Sequence, residues 1–110
     1  MPITQTPPAT EREAGIVPEE IHGPLYRVVL LDDDFHTYDY VIEMLQKIFI
    51  FSFEQALKHA QEVDAAGRTA VITCELPEAE YGRDQIQNYG KDWRLPRSQG
   101  SMSAIIEPAG

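Results

Sequence analysis

Residues 26–49, YRVVLLDDDFHTYDYVIEMLQKIF, constrain the fold more than any other part of this chain. Residues 26–31 are β-rich and apolar on both faces, which predicts a central strand. Asp32, Asp33 and Asp34 follow at the point where that strand ends. Thr37 is placed to cap a helix, with Asp39 in a first turn whose dipole favours negative charge. Val41, Ile42, Leu45, Ile48 and Phe49 then recur at helical spacing and lay one face on a core. Glu43, Gln46 and Lys47 are expected on the wet side. A buried strand thus delivers a charge cluster to a rim.

The remaining elements extend this unit. Ser52-Phe53-Glu54-Gln55 matches a capping box and opens a second helix, with Phe53, Ala56, Leu57, Ala60 and Val63 as its buried stripe. Gly67 is the residue to end it in a left-handed cap. Residues 68–75 read as a second strand, and Pro77 suits the first turn of a third helix. Along that helix Ala79, Gly82, Ile86, Tyr89 and Trp93 lie at helical spacing. Residues 102–107 read as the last strand. The order β-α-α-β-α-β is too short for a wound parallel sheet. An α+β fold is expected, a three-stranded, largely antiparallel sheet with three helices packed on one face.

Residues 1–24 hold five prolines (Pro2, Pro7, Pro8, Pro18, Pro24) and little periodicity. Such a segment buries too little surface to offset its ordering entropy, so a flexible tail is expected, followed by one core domain over residues 25–110. The segment also lacks a basic stretch followed by an apolar one, so no secretory leader is expected. No apolar run reaches the ~18 residues of a membrane-spanning helix. A single cysteine, Cys74, leaves no internal disulfide and is expected as a small buried hydrophobe in a reducing compartment. Eighteen acids against nine Lys and Arg give a net charge of −9, which argues against nucleic acid and for cationic partners or plain solubility. A cytoplasmic protein is the default.

The acidic corner has three chemical readings. Carboxylates at a strand end bind Mg²⁺ in phosphotransfer domains, but such a domain needs more strand–helix units and a late lysine that this chain lacks. A calcium loop needs alternating acids and a glycine at its sixth position, and counting from Asp32 that position is Thr37. A second reading is solvation of the turn, with Asp34 its best example. The third is capture of an ammonium group, and Asp64 supports it. Asp64 flanks the buried stripe of the second helix and lies in its last turn, where a negative charge opposes the dipole by ~0.3–1 kcal/mol. If the two helices pack together, Asp64 meets Asp32 and Asp33 near Tyr38 and Val41. Carboxylates beside apolar side chains suit a charged amine with a hydrophobic side chain, the first residue of a polypeptide. His36 adjoins the cluster and is expected to bond Asp34 or line the site. His22 and His59 are expected at the surface.

These residues carry a resemblance. PLYRVVLLDDDFHTYDYVIEMLQKIF, a following helix, and VDAAGRTAVI resemble the ClpS adaptors over about residues 24–109. The resemblance implies a non-enzymatic adaptor without cofactor or metal. It would bind proteins through a destabilising N-terminal residue and hand them to a Clp unfoldase of the ClpA type. It implies no nucleic acid or membrane partner, and the adaptor is expected as a monomer. By position, the Asn-Asp pair that holds the α-amino group in the family falls on Asp32 and Asp33, and its amine-binding histidine on Asp64. The family's threonine two residues beyond the pair falls on His36, and its gate methionine on Tyr38. The side-chain pocket falls on Val41, Ala60, Val63 and Met102, with Asp34 at the rim. Ala60 replaces a methionine and is expected to enlarge or reshape the pocket, while Tyr38 is expected to narrow its mouth. Residues 77–83, where family members dock on the unfoldase, match weakly. The absent histidine supports an alternative, a ClpS-fold protein that docks on an unfoldase or other partner without reading N-termini.

Overall fold

The computed structural model describes residues 23–110. The expected tail, with His22, lies outside them up to residue 22. Three strands and three helices follow in the expected order: β1 Leu25–Leu31, α1 Tyr38–Phe49, α2 Phe53–Ala66, β2 Arg68–Glu75, α3 Leu76–Gln87 and β3 Ala104–Pro108. The sheet order is β2-β1-β3, with β1 central and antiparallel to both neighbours. The pairing of β1 with β2 is offset by one residue between Val28 and Val29, so Val71 is passed over in the ladder.

Side chains alternate across a strand. Val28 and Leu30 of β1 therefore share one face, and both join a core with Met44, Leu45, Ala60, Val63, Ala79 and Ile86. The three helices supply those partners. On the opposite face Arg27 and Arg68 both pair with Glu107. Burying each large core side chain contributes on the order of 1.5–3 kcal/mol relative to exposure.

The helix ends follow their local chemistry. Thr37 caps α1 by accepting from the Tyr40 N–H. The capping box of α2 is formed in full by Ser52 and Gln55. Gly67 ends α2 in the left-handed conformation, φ 84°, and its N–H donates to the Val63 carbonyl. The Asp32 N–H donates to the Gly67 carbonyl at 3.0 Å. That bond holds the end of α2 against the end of β1.

Several expectations need correction. α3 stops at Gln87, so Tyr89 and Trp93 are not helical; Gly90 turns the chain with φ 113°. Trp93 is exposed and its ring lies under the Arg94 guanidinium. Phe53 is the first residue of α2 and stands outside the stripe that begins at Ala56, and it too is exposed. The last strand begins at Ala104, not at Met102. His59 is half-buried instead of superficial, with Nδ1 2.8 Å from the Thr69 hydroxyl and its ring stacked on Phe51. Burial pushes its pKa down. Cys74 packs half-buried against the core, and burial pushes its thiol up to about 11, the behaviour of an unreactive side chain.

Candidate functional site

The expected site residues converge on one hollow of about 100 Å³. Its floor is apolar and buried: Val41 from α1, Ala60 and Val63 from α2, and Met102 from the segment before β3, each at most 3% exposed. Its rim is polar. Asp32, Asp33, Asp34, His36 and Tyr38 come from the β1–α1 turn and the start of α1, and Asp64 from the last turn of α2. Thr37 completes the lining. The Asp32–Gly67 backbone bond explains why residues 32 positions apart in sequence face one space.

The rim acids differ in what already occupies them. One oxygen of Asp33 accepts from the Phe35 N–H at 2.8 Å and lies 2.7 Å from His36 Nδ1. His36 bonds Asp33, not Asp34. Its other ring nitrogen lies 2.6 Å from the Gly100 carbonyl, so both edges of the ring are clamped between oxygen acceptors. One oxygen of Asp64 accepts from the Tyr38 hydroxyl at 2.9 Å. That hydrogen bond to a carboxylate pushes the Tyr38 hydroxyl above its ordinary pKa. Partial burial pushes the Asp32 carboxyl up, and repulsion from Asp64, Asp33 and Asp34 adds to it, against an opposing bond from the Asp33 backbone N–H. The corner is therefore held in a state that a cation would relieve. Among the described residues, no three of His, Cys, Asp and Glu converge as metal ligands would.

Two residues behind the site, Asp92 and Arg94, had no signal in the sequence. Asp92 is fully buried, and its Oδ2 accepts from both the N–H and the hydroxyl of Thr37 at 2.7 and 2.8 Å. Its Oδ1 accepts from the backbone and guanidinium of Arg94 at 3.0 and 3.1 Å. Burial pushes the Asp92 carboxyl up, but these hydrogen bonds outweigh it and leave the pKa below the ordinary value. Arg94 also donates to Glu43 at 2.7 Å. That bond and one from the Tyr89 hydroxyl lower the Glu43 pKa to about 2. The cap residue of α1 is thus bolted to a loop 55 positions away. Asp92 falls inside an expected helix that does not extend so far, and this hid its role.

Buried apolar floor, acidic rim and clamped turn together make a hollow that sets negative charge beside apolar side chains. Known proteins agree with the fold that builds it. The family described as ATP-dependent Clp protease adaptor protein ClpS matches residues 22–96. The ATP-dependent Clp protease adapter protein ClpS of Synechococcus elongatus is 35% identical over 87 residues, covering 78% of this chain and 80% of that protein. The chloroplastic adapter CLPS1 of Arabidopsis thaliana is 30% identical over 89 residues, 80% of this chain and 56% of that one. The structure of Agrobacterium tumefaciens ClpS2 bound to L-phenylalaninamide superposes with a TM-score of 0.66 at 26% identity, covering 77% of this chain and 96% of that one. A family match over residues 22–96 and a shared α+β architecture place the chain in the ClpS adaptor family.

Proposed function

We propose that this adaptor binds substrate proteins through a free N-terminal residue and delivers them to a ClpA-type unfoldase of the Clp protease. The observation that carries the reading is the single hollow in which Asp32, Asp33 and Asp64 stand over Val41, Ala60, Val63 and Met102. The acids hold the α-ammonium and the apolar floor takes the first side chain. Charge-assisted hydrogen bonds of this kind contribute roughly 1.5–3 kcal/mol each. L-Phenylalaninamide, the ligand of the Agrobacterium protein, has the same two parts, an α-amine and a hydrophobic side chain. Here Asp64 replaces the family's histidine and acts as a second charged acceptor.

The hollow's volume bears on preference. About 100 Å³ is less than the roughly 150 Å³ that admits a benzene ring. A branched aliphatic first residue suits a hollow of this size better than an aromatic one, which would press on the Tyr38 ring at its rim. A second hollow of about 400 Å³, between the end of α1 and the start of α3, is lined by Phe49, Pro77 and Tyr81. It coincides with the segment by which family members dock, and it is the surface offered to the unfoldase. The adaptor works as a cytoplasmic monomer in this reading.

The test is binding of short peptides that differ only in N-terminal acetylation. Free peptides beginning with Leu are expected to bind at least about tenfold more tightly than acetylated ones. Equal affinity would remove N-terminal recognition and leave only the family's docking function.

A further inference from the structure

Asp33 and His36 form a wall between two hollows. On its far side lies a second hollow of about 250 Å³, also lined by Phe35, Arg97, Gln99 and Ser101. The loop between Gln87 and Ala104 builds its outer edge. Connections longer than about 12–15 residues without secondary structure are uncommon in compact domains and are usually functional. This one contributes Asp92 beneath Thr37, Gly100 against His36, and Met102 to the floor of the first hollow.

Arg97 is the cation of this second hollow. Its Nε donates to the Asp34 carbonyl at 2.8 Å, and no described residue accepts from its two terminal nitrogens. The guanidinium is thus tethered by one edge with its fork open, the geometry that receives a carboxylate through two parallel bonds.

With the first residue held in the first hollow, a chain that leaves over the shared Asp33–His36 wall carries its second residue past the second hollow. We propose that Arg97 reads the second residue of the incoming chain and makes an acidic side chain acceptable there. This rests on the N-terminal reading above. The surroundings give the arginine its leverage. Asp32, Asp33, Asp34 and Asp64 line the adjoining hollow, and the chain as a whole carries −9. Without Arg97 an acidic second residue meets repulsion alone.

The experiment uses the full chain and four peptides with Leu first: Asp or Ala second, each free or N-acetylated, followed by fluorescence anisotropy. In the wild type, free Asp-second peptide is expected to bind at least as well as free Ala-second peptide. Arg97→Ala is expected to weaken the Asp-second peptide about 3- to 5-fold, the worth of an exposed ion pair, and to leave the Ala-second peptide within about twofold. Arg97→Lys keeps the charge but not the fork and is expected to fall between. If the Asp-to-Ala ratio is the same in wild type and Arg97→Ala while free peptides still outbind acetylated ones, this inference is overturned and N-terminal recognition stands. If free and acetylated peptides bind equally, both fall.

Discussion

The Tyr38 hydroxyl donates to Asp64 Oδ2 at 2.9 Å and so links the first residue of α1 to the last turn of α2 across the site. In the proposed reading, the gate and one of the amine acceptors are therefore a single unit. Tyr38 is 43% exposed, which leaves its ring room to move outward. A bound ammonium therefore competes with the phenol for the same carboxylate.

Two substitutions separate the latch from the bulk of the ring. Tyr38→Phe keeps the ring and frees Asp64. It is expected to tighten binding of a free Leu-first peptide about 2- to 5-fold, the scale of one net hydrogen bond. Tyr38→Ala opens the mouth, and the affinity ratio of Phe-first to Leu-first peptides is expected to rise about fivefold, since more ring surface can be buried. An unchanged ratio in peptide titrations would mean that Tyr38 does not limit the hollow.

Asp32 opposes stability when it is ionised. Its folded-state pKa is raised, so the folded protein holds its ionised form less well than the unfolded chain does. For an acid with a raised pKa the cost is present above that pKa and disappears as pH falls below the ordinary value of 3.8. Asp32→Asn is therefore expected to be more stable than wild type near about pH 7, with the gap closing as pH falls towards 3.8. The same variant is expected to bind free N-termini about tenfold less well, because one of the carboxylates facing the ammonium is neutralised. Urea midpoints across pH, beside peptide affinities, check both. A variant less stable at neutral pH would contradict the strain assigned to Asp32.

The balance between what was legible in the residues and what was not has a physical basis. Periodicity located β1, α1, α2 and β2, because each buries one face or lies centrally in the sheet. Asp64 was legible as a residue out of keeping with its place in a helix, and Ser52 and Gly67 as caps. The assignment of Ala60 and Met102 to the floor needed the family resemblance, since small and flexible apolar residues signal only core. The end of α3 is not legible because Tyr89 and Trp93 keep helical spacing by coincidence; Tyr89 packs edge-on against Tyr40, while Trp93 stays in solvent. The loop that carries Asp92, Arg97 and Gly100 has no period. Its contacts with Thr37, Asp34 and His36 span 55 or more positions, and no local pattern encodes such distances.

Asp92 is expected to act on the site without touching it. It lines neither hollow at the acidic corner, yet it holds the N–H and the hydroxyl of Thr37, the residue between His36 and Tyr38. Asp92→Ala strands the Thr37 and Arg94 donors in the interior and is expected to cost about 3 kcal/mol of unfolding free energy. Asp92→Asn keeps the shape and one acceptor and is expected to cost less. If Asp92 positions the turn, the Asn variant still folds but binds free N-termini more weakly. Wild-type affinity in a folded Asp92→Asn protein would confine Asp92 to stability.

Ile50 offers a test of the α1–α2 corner that leaves the site alone. It ends α1 with φ 56° and is 87% exposed. The left-handed conformation brings a side chain's Cβ against the following carbonyl and costs an ordinary residue about 1–2 kcal/mol. A β-branched side chain is among the least suited to it. At 87% exposure its removal sacrifices almost no burial, so the strain is not offset by packing. Ile50→Gly is expected to stabilise the protein by about 1 kcal/mol, the strain relieved less the entropy that glycine adds to the unfolded chain. Ile50→Asn, whose side chain tolerates this conformation, is expected to give part of that gain. Both should show as higher urea midpoints with unchanged slope and unchanged peptide affinity. A destabilised Ile50→Gly would mean that the Ile50 side chain makes contacts that hold the corner, and that the turn is not strained at this residue.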